Sequence, residues 1–298
     1  MLLSFSSCGC SHKNGVDRDS FSSGDSIAMP VKTIYDEPVY YNDETTDKAK
    51  IESVLKSASQ LNDRGQRIVA IAKEFIGVPY VGWTLEIPGE EILYVNTSGL
   101  DCLTFVETVL ALAYASEIEN SRVDDYLINL RNLRYRDGEI KGYASRLHYS
   151  SEWIMDNEKR GNMKDVAPLI QGSELMVKTL DFMSNHREIY PAMANDSIFE
   201  EIKKNEEALK NLHFYIIPTE KVAAEGKQFL QDGDIVGIVT DRDGLDVSHV
   251  GIVEIKDGVP HMIHASSKYK KVVDDITPLY DYLKQQKSKG IRVYRSAR

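Results

Sequence analysis

The sequence predicts an α+β protein, in which one buried helix packs on an antiparallel β-sheet and a mostly helical insertion separates them. Three observations carry this expectation. After Cys102 the apolar residues Leu103, Val106, Leu110 and Ala113 fall at helical spacing, with Phe105, Val109 and Leu112 filling the flank. That is the wide apolar face of a buried helix. The last third of the chain is a series of short apolar runs bounded by turn signals, above all Asp257-Gly258. Between them, about 118–210, the chain is polar and punctuated by Gly161, Pro168 and Gly172.

The 298 residues can bury a full core, as one large domain or two small ones. A net charge of −10 argues against a nucleic-acid binder, which needs a basic surface. No run of eighteen apolar residues is present, so no helical membrane span is expected. Residues 1–30 read as a leader and tether. Leu2 to Cys8 resembles the tail end of a bacterial lipoprotein signal, which makes Cys8 the expected lipid anchor and the cell envelope, on the periplasmic side, the expected location. Its hydrophobic part is too short for a complete signal. Cys8 and Cys10 belong to this leader. Cys102 is then the solitary thiol of the folded part, and in an oxidising compartment such a thiol is a candidate reactive group.

Residues 31–60 read as an N-terminal arm, with extended Val39-Tyr40-Tyr41 and a short polar helix. From Leu61 to Phe75 the residues Ile68, Val69, Ile71, Ala72 and Phe75 make an apolar stripe, and Gly77 ends the helix. Gly77 to Trp83 is a shaped loop whose Tyr80 and Trp83 either line a cleft or fill the core. Leu85 to Val95 reads as extended. A second helix spans 123–134, with Tyr126, Leu127 and Leu130 inward. Tyr143 to Trp153 is rich in groups able to orient a ligand, among them Ser145, Arg146 and His148, although composition alone reads as solvated surface. Strands are expected at 212–217, 235–239, 247–255, 259–266, 271–276 and 291–295, with a short helix at 219–225.

The start of the central helix is marked. Ser98 with Asp101, or Asp101 alone, can cap it, and either choice puts Cys102 in the first turn. The free N–H groups and positive dipole end there favour a thiolate and lower the thiol pKa. The competing reading is a small buried hydrophobe.

The hairpin register places two histidines. If Asp257-Gly258 is a two-residue type I′ turn, Lys256 pairs with Val259 and His249 lies opposite Ser266. His264 is then on the same face as His249, one diagonal step away, and His261 is on the other. A turn differing by one residue reverses this. The pair can be half a metal site, though supporting ligands are lacking, two structural histidines, or a general base with the group that orients it.

Cys102 at a helix start, the Gly-Asp turn, Ser248-His249-Val250-Gly251-Ile252 and a second polar residue on the next strand together resemble the NlpC-type cell-wall amidases and peptidases, which are papain-like cysteine enzymes. Gly77 to Tyr80 with Thr84-Leu85-Glu86, Ser98 to Glu107, Ser145 to Tyr149 with Trp153, and Leu230 to Asp234 resemble the N-acetylmuramoyl-L-alanine amidase-like branch, with coverage from about Leu61 to the C-terminus. The resemblance implies a papain-like catalytic domain over 61–298. It implies hydrolysis of the amide between N-acetylmuramic acid and L-alanine in muropeptides. Cys102 aligns with the nucleophile, His249 with the base and His264 with the orienting residue. Tyr80, Glu86, Ser145, Arg146 and His148 align with substrate-binding positions. No metal and no cofactor is implied, the partner is a peptidoglycan fragment rather than nucleic acid, and a monomer is expected. The alternatives are a stem-peptide endopeptidase, an acyltransferase using the same triad, and a non-catalytic lipoprotein that binds cell-wall fragments.

Overall fold

The computed structural model describes residues 31–32 and 38–297. The leader, with Cys8 and Cys10, lies outside the described residues. The chain folds as helices packed on one large sheet, in which every strand pair is antiparallel.

The N-terminal strands β1 (Val31–Lys32) and β2 (Pro38–Tyr41) are followed by helices α1 (Glu44–Ala58) and α2 (Arg64–Lys73). The segment read as an arm is part of the main core: Val39, Ile51, Val54, Leu55 and Ala58 pack in one cluster with the central helix. Asp47, buried on α1, ties it there by accepting hydrogen bonds from the Thr97 N–H (2.7 Å) and hydroxyl (2.6 Å). Gly77 follows α2 with φ +92°, the left-handed region where glycine carries no Cβ penalty. Of the stretch expected to be extended, only β3 (Leu93–Val95) is a strand, and it pairs in parallel with β2. Residues 83–86 form a turn instead, closed by the Glu86 N–H on the Trp83 carbonyl.

Helix α3 (Cys102–Ala115) runs through the centre of the molecule, and every one of its residues is buried. The buried helix expected from the spacing is enclosed all round. Its one acidic residue, Glu107, accepts a 2.7 Å hydrogen bond from Arg134 at the end of α4 (Val123–Arg134). The stretch from Tyr143 to Trp153 is also buried, contrary to its composition. It leads into α5 (Ser150–Lys159), whose Trp153 and Ile154 join the main core. The remainder of the middle segment comprises β4 (Met163–Asp165), β5 (Glu174–Lys178), α6 (Phe182–Asn185) and α7 (Asp196–Glu207). Leu180, Phe182, Met193, Ile202 and Leu209 there form a second cluster with Tyr143 and Tyr149.

The C-terminal third is β6 (Leu212–Pro218), α8 (Thr219–Phe229), β7 (Ile235–Val239), β8 (Val247–Lys256), β9 (Val259–Ser266), β10 (Lys271–Asp275), α9 (Leu279–Gln285) and β11 (Gly290–Ser296). The sheet order is β10-β9-β8-β7-β11-β6-β5, with β4 also on β11. Asp257 (φ +51°) and Gly258 (φ +79°) both take left-handed values, as a type I′ turn requires. Lys256 accordingly pairs with Val259 and Ile252 with Ile263, the register expected from the turn. Helix α3 packs across β8 and β9, which brings its N-terminus to the histidine-bearing strands.

Candidate active site

Asp101 is the cap of α3. Its carboxylate accepts the Thr104 N–H at 2.8 Å while the Thr104 hydroxyl accepts the Asp101 N–H at 2.9 Å, a reciprocal capping box. Cys102 is therefore the first residue of the helix, and Ser98 takes no part in the cap. The backbone N–H of Val250, the residue after His249, hydrogen-bonds the sulfur. The side chain is fully buried. Burial pushes the thiol pKa up to about 12, and the Asp101 carboxylate adds to the rise against the lowering effect of the backbone N–H groups. This corrects the expectation of a lowered pKa: the helix terminus favours the anion, but loss of water outweighs it.

His249 and His264 meet across the hairpin. His249 Nε2 and His264 Nδ1 are 2.6 Å apart, with the rings nearly perpendicular at 82°. Burial, then the proximity of His264, holds the His249 pKa well below the ordinary histidine value. His261 lies on the opposite face, where it pairs with Glu254.

Two further residues join them that the sequence reading did not single out. His264 Nε2 lies 3.4 Å from Asp275 Oδ2 on β10. Although partial burial raises the Asp275 pKa, hydrogen bonds from His264 and Thr277 bring it down to about 2. Tyr282 of α9 stacks on His249 at 6.3 Å and meets the edge of His264 at 5.5 Å between ring centroids. Ser248, His249, Ser266, Asp275 and Tyr282 line a recess beside the pair. Both additions had signals. His264 pairs with Val273, so Asp275 is one diagonal step further along the same face. Leu279, Tyr282 and Leu283 after Pro278 have helical spacing.

Tyr80 approaches this group. It bridges to Leu100, two residues before Cys102, and its N–H bonds the Lys270 carbonyl at 2.9 Å. The other four residues aligned with substrate positions form a separate buried network. Arg146 Nη2 binds Glu86 Oε1 at 2.6 Å, its Nη1 binds the Leu85 carbonyl, and Glu91 lies at 3.7 Å. Its guanidinium also covers the Tyr143 ring at 4.7 Å. The Ser145 hydroxyl donates to the Gly142 carbonyl at 2.6 Å. His148 Nε2 lies 3.1 Å from the Tyr143 carbonyl, and burial followed by the Arg146 charge depresses its pKa strongly. The network backs onto the first turn of α3, since Leu85, Asp101, Thr104 and Arg146 share one small internal cavity. A cavity of about 840 Å³ lies at the other end of α3, against Ser116 and Leu127. Among the described residues no cluster of three or more His, Cys, Asp or Glu side chains could hold a metal ion.

The family model described as N-acetylmuramoyl-L-alanine amidase-like (AmiA-like) matches residues 70–291. The chain belongs to this family. In solved structures, the fold matches a Bacteroides uniformis N-acetylmuramoyl-L-alanine amidase with a TM-score of 0.76 and 36% identity, over 80% of this chain and 100% of that one. A Bacteroides fragilis protein provisionally named a xylanase matches with a TM-score of 0.72 and 38% identity, over 76% of this chain and 99% of that one. The Legionella pneumophila protein LPG0564, at 23% identity and a TM-score of 0.65, shares the fold over 86% of this chain and 96% of its own. None of the curated proteins compared matches. Family membership fits the α+β architecture with its antiparallel sheet.

Proposed function

We propose that the chain is a papain-like cysteine amidase of the NlpC type that hydrolyses the amide joining the lactyl group of N-acetylmuramic acid to L-alanine. The observation that carries this reading is the 2.6 Å contact between His249 and His264 beside a sulfur that the Val250 N–H touches. The family and the Bacteroides uniformis amidase support the substrate class.

The thiol is neutral at rest, so His249 takes the Cys102 proton as the sulfur attacks the lactyl carbonyl. The oxyanion forms near the Cys102 backbone N–H at the helix start. His249 then returns the proton to the leaving nitrogen of L-alanine. The acyl thioester is hydrolysed by water with His249 as base, leaving a free lactyl carboxylate and the restored thiol. His264 orients His249, and Tyr80 flanks the scissile bond. Glu86, Ser145, Arg146 and His148 shape the cleft wall through their buried network rather than by free polar ends. The cell envelope, with a lipid on Cys8 and the protein a monomer, suits this substrate.

A glycosidase reading is disfavoured by the residues present. Glycoside hydrolysis uses two carboxyl groups flanking the bond, one of them protonated. The recess beside His249 is lined by one carboxylate, Asp275, held ionised. The test is purified protein with a defined set of muropeptides, read by mass spectrometry. The expected products are a sugar ending in a lactyl carboxylate and an intact peptide beginning with L-alanine. Cleavage inside the stem peptide identifies an endopeptidase instead, and binding with no turnover identifies a fragment-binding protein.

A further inference from the structure

We propose that Asp275 is a positioning residue that fixes the tautomers of both histidines and so decides which nitrogen of His249 can act as a base. The inference rests on the amidase reading only for its consequence in catalysis; the tautomers follow from geometry.

The argument starts at the carboxylate and runs inward. Asp275 Oδ2 lies 3.4 Å from His264 Nε2, and both side chains are buried. The other oxygen, Oδ1, accepts the Thr277 N–H at 2.9 Å, which fixes the rotamer of the carboxylate. An ionised carboxylate has no proton to give. His264 Nε2 must then carry the hydrogen of that contact. In a neutral imidazole the second nitrogen is an acceptor, so His264 Nδ1 presents a lone pair. His249 Nε2, 2.6 Å away, must donate to it. That leaves His249 Nδ1 as the unprotonated nitrogen, free to take a proton from the thiol. The opposite tautomer of His264 would place its Nδ1 hydrogen toward His249 and leave a lone pair facing the carboxylate. His249 would then hold its own hydrogen on Nδ1, and the base would be lost.

The arrangement also serves the charged state. When His249 gains a proton its Nε2–H still points at His264 Nδ1, and the carboxylate beyond is the nearest negative charge along that line. No residue needs to move. An orienting group of this kind acts through a second residue and touches neither substrate nor sulfur. A wrong tautomer in a comparable triad costs up to about 10⁴-fold in kcat.

The test uses the full chain with 15N-labelled histidine and reads two-bond hydrogen–nitrogen couplings of the rings, which distinguish the two tautomers. In the unaltered protein at pH 7 both His249 and His264 are expected as Nε2–H tautomers. In Asp275→Ala the His264 signals are expected to shift toward a mixture, those of His249 to follow, and kcat to fall by at least tenfold with KM changed less than about twofold. Asp275→Asn keeps an accepting oxygen and is expected to recover the tautomers and part of kcat, which a loss of packing would not explain. If Asp275→Ala does not fold, Asp275→Asn alone carries the test, with retained tautomers and a kcat between wild type and His264→Ala. Unaltered kcat in Asp275→Ala, or either ring found as the Nδ1–H tautomer in the unaltered protein, overturns the inference. Cys102→Ala is run in parallel: activity there sinks the amidase mechanism while the tautomer result stands or falls by itself.

Discussion

Replacing Arg146 separates a structural guanidinium from a substrate-binding one. In the structure its side chain is 4% exposed and that of its partner Glu86 5%. Truncation to alanine removes the 2.6 Å ion pair, the bond to the Leu85 carbonyl and the cover over Tyr143. It also leaves two buried carboxylates, Glu86 and Glu91, without their shared cation. The Glu91 pKa is already raised by burial, with Arg146 opposing the rise and Glu86 adding to it, so the loss falls on a strained pair. Breaking a buried pair by removing one partner costs about 3–5 kcal/mol. At roughly 2–4 °C per kcal/mol for a large domain, the melting temperature should drop by about 6–20 °C. Urea and thermal unfolding by circular dichroism measure this. A double-mutant cycle with Glu86→Gln and Arg146→Met should give a coupling of about 1.5–3 kcal/mol. Kinetics on the folded fraction complete the assay. An Arg146→Ala protein within about 1 kcal/mol of wild type, but with KM raised tenfold or more, would refute the structural assignment. The guanidinium would then have been available to a substrate carboxylate.

The remaining predictions concern the thiol and its partners. A thiol pKa of about 12 leaves only ~10⁻⁵ thiolate at pH 7, so iodoacetamide should label Cys102 of the resting protein about 10³-fold more slowly than an ordinary thiol. Labelling should accelerate up to pH 12 and become fast in urea; a rate matching free cysteine at pH 7 contradicts the burial. The sign for stability follows, since the unfolded thiol ionises first: stability is retained below the unfolded pKa near about 8.5 and declines between there and about 12. Cys102→Ala and His249→Ala should abolish amide hydrolysis, whereas His264→Ala should keep a remnant because it orients and does not react. Full activity in Cys102→Ala would falsify the mechanism. For Asp275 the sign is opposite. Its pKa is lowered to about 2, so its contribution is present above the unfolded value near about 4 and is lost as the pH falls to 2. Acid unfolding of Asp275→Asn should therefore be shallower over that interval, and an identical acid limb would count against the His264 contact.

How much was legible in the sequence depended on how local each determinant is. The helix at Cys102 is encoded by contiguous apolar spacing, and its cap lies one residue away. The histidine pair is encoded by a two-residue turn, which transmits register without ambiguity. Asp275 is not reached that way, because residues 267–270 separate β9 from β10 and a four-residue connection does not fix register on its own. Arg146 illustrates the opposite failure. Its polar neighbourhood reads as surface in one dimension, yet Glu86 lies sixty residues away and neutralises it inside the protein. The N-terminal segment reads as an arm because its helix looks polar, while the apolar set Ile51, Val54, Leu55 and Ala58 is narrow but sufficient to bury one face. Long-range partners of charge are what composition conceals.

The enclosed site constrains how the proton moves. The burial that raises the Cys102 thiol also depresses the His249 imidazole, and the two shifts oppose a resting thiolate–imidazolium pair from both ends. Where such a pair is preformed, the proton has already moved before substrate arrives, so attack on the carbonyl carries no proton transfer. On the proposed mechanism the transfer belongs to the attack itself. The Cys102 side chain is fully buried, and His249 is an acceptor only while neutral. Acylation in D2O should therefore be slowed, with a normal solvent isotope effect on kcat/KM that a preformed ion pair would not give. Measured on a muropeptide in single-turnover mode, a rate identical in H2O and D2O would mean that the thiolate forms first, and that substrate entry changes the balance of burial before chemistry begins.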